Sequence, residues 1–128
     1  MYIRFVVNAF DEDSGRRLGL FHAARELCER HSVSVDEEFQ LLAIRDWFNE
    51  HLEKPDSFSN SKKPNAKGVA ISWFKDNAIQ HIAKMYEMTR ILEAHDINVE
   101  VLKTARPGYI VYEDNHQVTA EPSAETKT

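Results

Sequence analysis

The sequence predicts an α+β fold, with three helices packed on one face of a mostly antiparallel sheet of about four strands, in the order β-α-α-α-β-β-β. Three observations carry that prediction. A β-branched and aromatic run, "YIRFVVNAF", opens the chain. Three stretches with apolar residues at helical spacing follow it, and three strand-like segments cluster after them. Strands that cluster in this way argue against a doubly wound sheet, in which strands and helices alternate.

Taken in order, residues 2–8 alternate Ile3, Phe5 and Val7 against Arg4, Val6 and Asn8, as a strand between two environments requires. "DEDSG" breaks that run. From Leu18 onward, Leu20, Phe21, Ala24, Leu27 and Cys28 recur at helical spacing with charged residues outside them. "SVDE" then sets Ser34 three residues before Glu37, a capping box for a second helix. Its stripe is Leu41, Ile44, Phe48 and Leu52, joined by Leu42 and Trp47, and Pro55 closes it. A third helix is expected to start near Ser72 and run to His95, burying Phe74, Ile82 and Met85 among its stripe. "INVEVLKT" alternates as a strand and is expected to pair with the first one. "PGYIVYED" and "QVTAEP" follow as a hairpin, with turns at Pro107-Gly108 and Asn115-His116.

A chain of 128 residues with 42% hydrophobic and 29% charged content suits one soluble globular domain. Residues 1–121 are read as that domain and residues 122–128 as a flexible tail. Cys28 is the single cysteine, which excludes an internal disulfide framework and a cysteine-built zinc site. That usage fits a reducing cytoplasm. No apolar run approaches the roughly 20 residues of a membrane span, and the first residues lack the basic start and apolar centre of a signal peptide. A net charge of −5 disfavours general nucleic-acid binding.

The segments "RFVVNAFDEDSGRRLGLFHAA", "WFNEHLEKP", "AISWFKD" and "GYIVYEDNHQV" resemble a group of small uncharacterised bacterial proteins. "ISWFK" and "GYIVYED" are the most specific pieces. The resemblance implies a bacterial, single-domain protein and carries over no functional residue.

Four features bear on function. Lys62, Lys63 and Lys67 lie in a Ser- and Lys-rich stretch before the third helix, where free backbone N–H groups favour anions. Arg16 and Arg17, ahead of the first helix, are candidates for the same anion site, although the glycine spacing of a phosphate loop is missing. A solvated linker competes with that reading. Asp11, Glu12 and Asp13 lack the spacing of a calcium loop and read as a solvated turn. Six histidines form no metal-binding motif; His81, beside the apolar stripe, is a ligand-binding candidate alongside those basic residues, with a hydrogen-bonded boundary histidine as the competing reading. Tyr109 and Tyr112 on the hairpin, with Trp73, are candidates for partner recognition, because such side chains join a large apolar body to a polar tip. No metal or other cofactor is implied, and no catalytic constellation is recognisable. The leading expectation is a non-enzymatic interaction or regulatory module whose partner is another protein or a second copy. The alternative is binding of, or action on, a phosphorylated or nucleotide-like ligand at residues 57–68 with Arg16 and Arg17.

Overall fold

The computed structural model describes residues 1–10, 17–54, 70–124 and 126. In chain order the elements are β1 (Tyr2–Phe10), β2 (Arg17–Gly19), α1 (Leu20–Glu29), α2 (Val35–His51), β3 (Ile71–Lys75), α3 (Ile79–Ala94), β4 (Val99–Thr104), β5 (Tyr109–Glu113) and β6 (Gln117–Glu121). Among the described residues the fold is α+β with three helices and an antiparallel sheet, as the sequence predicts, but the sheet has six strands instead of about four. The added strands are β2 and β3.

β1 organises the sheet because both of its edges are used. One edge carries β4 from Tyr2↔Thr104 to Val7↔Val99, the expected pairing. The other is shared end to end, with β3 at Tyr2 and Ile3 and β2 at Val6 and Phe10. β3 continues the sheet to β6, and β6 to β5. Every one of these pairings is antiparallel.

The third helix starts later than the sequence predicts. Ile71–Lys75 is a strand, with Ser72 opposite Thr119 and its hydroxyl 2.9 Å from that of Thr119, so Ser72 caps nothing. A turn closed by the Ala78 N–H donating to the Lys75 carbonyl separates strand from helix. Alternation explains the outcome: Ile71 and Trp73 are buried two apart while Ser72 is exposed, a period no helix produces. Within α3, Met85 is buried as expected, but Ile82 is only half-buried, as is Phe74 on β3, both against the same core.

α2 begins as predicted. The Ser34 hydroxyl accepts from the Glu37 N–H at 3.1 Å and the Glu37 carboxylate accepts from the Ser34 N–H at 2.9 Å. The same carboxylate oxygen lies 3.0 Å from His95 Nε2, tying the start of α2 to the end of α3. Apolar burial is split by the sheet. On the helix side Phe5 and Val7 pack with Leu20, Leu27, Leu41, Ile44, Phe48, Met85, Met88 and Leu92. On the far side Val6, Ile71, Trp73, Leu102 and Val118 form a second cluster.

Strict alternation fails once in β5. Tyr109 opposes Glu121 and Tyr112 opposes Thr119, with a register shift between Ile110 and Tyr112. The bulge at Val111 puts Tyr109 and Tyr112 on one face, whereas unbroken alternation would separate them. Past β6, the Thr126 hydroxyl donates to the Arg106 carbonyl at 3.1 Å.

Candidate functional site

Helices α1 and α2 do not close fully against each other. A groove of about 630 Å³ runs between them, within the roughly 300–1,000 Å³ typical of small-ligand sites. Phe21, Ala24 and Cys28 line it from α1, Leu41 and Phe48 from α2, and Met88 from α3 beneath. Phe21 meets Phe48 edge to face at 5.0 Å, which fixes one end of the floor. Arg25, Arg45, Lys54 and Glu29 stand along its walls. Burial pushes the Cys28 thiol above its ordinary pKa; the Glu38 and Glu29 carboxylates add to the rise and the Arg45 guanidinium opposes it.

The outer face of α2 is unusual for a surface helix. Val35, Phe39 and Leu42, at i, i+4 and i+7, form a second apolar stripe on the side away from the core, 84%, 74% and 38% exposed. A helix that packs on one side normally turns polar residues outward. Leu42 joins this stripe to the groove.

The C-terminal end of α2 meets the β5–β6 hairpin in an aromatic cluster. Trp47 stacks on His51 at 4.3 Å between centroids, and His81 stacks on His116 at 4.4 Å. His81 Nε2 lies 2.8 Å from the His51 carbonyl, so Nε2 carries the proton and donates. Beneath the turn, the Asp114 carboxylate accepts from the His116 and Gln117 N–H groups and from the Tyr112 hydroxyl. The Gln117 amide donates to Asp114 and, at 2.6 Å, to the Glu53 carbonyl. These hydrogen bonds hold the Asp114 carboxyl below its ordinary pKa against the opposing effect of burial.

Burial also lowers the pKa of His81, and the neighbouring His116 and His51 lower it further, while the His51 carbonyl and Asp114 act the other way. The sign of the linkage follows. Between the depressed folded value and the ordinary 6.5, the unfolded chain binds more protons, so stability falls as pH drops through that window. Melting temperature should therefore decrease on acidification below about 6.5, and His81→Gln, which keeps a donor for the His51 carbonyl, should flatten that limb. An unchanged slope in the variant would remove His81 as the cause.

Among the residues singled out from the sequence, Arg16, Lys62, Lys63 and Lys67 lie outside the described residues, as do Asp11, Glu12 and Asp13. Arg17 is ion-paired with Glu100 of β4, and its carbonyl accepts from Arg4 at 2.7 Å. His81 instead packs against α2 and the hairpin, so these two candidates do not converge. Trp73 is 1% exposed inside the far-side cluster and offers no surface to a partner. Tyr109 is exposed, whereas Tyr112 is half-buried with its hydroxyl committed to Asp114. The groove and the outer stripe were missed. The stripe's signal was readable: Val35, Phe39 and Leu42 repeat at helical spacing out of phase with Leu41, Ile44 and Phe48, so Leu42 lies on the outer face and not on the core stripe it was expected to join.

Among the described residues no group of three or more His, Cys, Asp or Glu side chains is arranged to hold a metal ion. No helix among them is long and apolar enough to cross a membrane. Comparison of the chain with family models, with curated proteins and with solved structures finds no match.

Proposed function

We propose that the protein is a non-enzymatic interaction module that docks a basic, amphipathic helical segment of another protein on the outer face of α2. The observation that carries this reading is the exposed Val35–Phe39–Leu42 stripe on a helix whose opposite face is already core. Anchors at i, i+4 and i+7 are the spacing at which one helix engages another. Charge selects the partner. The exposed acids of α2 are Asp36, Glu38, Asp46 and Glu50, and its single basic side chain other than His51 is Arg45. A second copy pairing through this face would oppose like charges, whereas a Lys- or Arg-flanked apolar stripe would complement it. Cys28 as the lone cysteine is compatible with a reducing compartment such as the cytoplasm.

Photo-crosslinking from position 39 in cells tests the reading. A discrete adduct to one other protein is expected from Phe39 and none from the exposed Glu93 on α3. Phe39→Glu should change unfolding stability by no more than about 0.5 kcal/mol, as surface substitutions do, yet abolish the interaction with the captured protein. Equal crosslinking from both positions would refute the docking face.

A further inference from the structure

We infer that the groove between α1 and α2 is a binding site for an apolar chain ending in an anion, the chemical class of the fatty acids. The site adjoins the outer stripe of α2 at Leu42 but is built between α1 and α2, and it does not depend on a protein partner. Its floor is apolar, built by Ala24, Leu41, Phe48, Leu52 and Met88, and its volume of about 630 Å³ leaves room for a chain to lie between the helices.

The walls determine which end group such a chain would carry. Arg25, Arg45 and Lys54 line the groove and Glu29 is the single carboxylate that does so, in a chain whose net charge is −5. Among the lining side chains, cations outnumber carboxylates by three to one. Both guanidiniums are held by exposed partners only. Arg25 is 3.9 Å from Glu29 and 3.3 Å from His22 Nδ1, and Arg45 donates from Nε and a terminal nitrogen to its sequence neighbour Asp46 at 3.2 and 3.0 Å, all on a solvent-facing rim. Exposed pairs of this kind contribute little, so an arriving carboxylate can replace them at small cost and accept two parallel N–H bonds from one guanidinium. Lys54 has no ion-pair partner among the described residues and supplies a further cation at the Leu52 end. A neutral or cationic head group would gain none of this.

Cys28 reports occupancy, because it lines the groove, is only partly buried and is the single cysteine of the chain. The experiment follows alkylation of Cys28 by N-ethylmaleimide in the full chain while dodecanoate, dodecanol or dodecyltrimethylammonium is titrated below its micellar concentration. Dodecanoate should protect Cys28 saturably at one molecule per chain, and the cationic amphiphile should not protect at the same concentrations. Arg45→Glu with Lys54→Glu should weaken dodecanoate by about tenfold or more, as loss of a charge-assisted contact implies. Arg25→Gln serves as an independent variant, since it removes a charge from α1 alone, and melting curves verify that each variant is folded. Protection that never saturates, equal protection by the cationic amphiphile, or unchanged affinity in folded charge variants would each overturn the assignment. So would an absence of any protection by dodecanoate, which would leave the groove to a macromolecular segment.

Discussion

Replacing Trp73 with alanine is expected to cost about 3–5 kcal/mol, the range for emptying a buried aromatic site. The indole is 1% exposed on β3, the strand that joins β1 to β6, and it packs with Val6, Ile71, Leu102 and Val118. Those neighbours come from four different strands, so a void there has no single element that can collapse into it. Total stabilities of such domains run to about 5–15 kcal/mol, so the loss would consume a large share. The indole N–H has no hydrogen-bond partner among the described residues, which makes the loss one of packing alone. Trp73→Phe should accordingly be much milder, because it keeps most of the ring and removes an unpaired donor. Urea unfolding of both variants decides the matter; a loss below about 1 kcal/mol for Trp73→Ala would place the ring outside the sheet core.

The contrast between Trp73 and Ser34 shows which parts of this fold could be read from sequence. Ser34 and Glu37 satisfy each other within one helical turn, so the start of α2 is encoded locally. Val99 and Val101 alternate like Ile3, Phe5 and Val7, and two strands that bury matching faces find each other. Ile71–Lys75 differs because two periods overlap there. Ile71, Phe74 and Ala78 continue in phase with Ile82 and Met85, and that coincidence disguises a strand as the first turns of a helix. Only pairing with β1 and β6, distant in sequence, selects the extended form. β2 spans three residues, too few to show any period.

The candidate site was less legible for a related reason. Ala24 and Leu41 each read correctly as inward-facing residues of their own helices, yet the groove exists only in the gap those helices leave. His51 and His116 are 65 positions apart in sequence and converge on His81 through α2, α3 and the hairpin, none of which is marked by a motif. By contrast, the second stripe of α2 was present in the sequence. An apolar residue on the wrong face of a helix is informative when it has partners at i+4 and i+7.

Gly108→Ala is expected to be the most damaging conservative change. Gly108 has φ of +114°, a backbone conformation that residues with a Cβ rarely adopt, and holding such a residue there costs about 1–2 kcal/mol on steric grounds. Space is the second constraint. A Cβ built there would stand 1.9 Å from the Glu121 carbonyl oxygen and 2.9 Å from the Pro122 Cα, both backbone atoms. Neither can rotate aside as a flexible side chain would, so β5 and β6 must separate at this end. Tyr109 opposes Glu121 in the register, so the strain falls on the first pair of the hairpin. Overpacking of this kind adds about 1–3 kcal/mol, for a combined loss of about 2–5 kcal/mol. Hydrogen exchange distinguishes the mechanism from general destabilisation. The Tyr109 and Glu121 end of the hairpin should lose protection in Gly108→Ala, while the Ser34-capped start of α2 keeps its own relative to global unfolding. Uniform loss of protection across the chain, or a stability change below about 0.5 kcal/mol, would show that the close approach of Gly108 to Glu121 does not hold in solution.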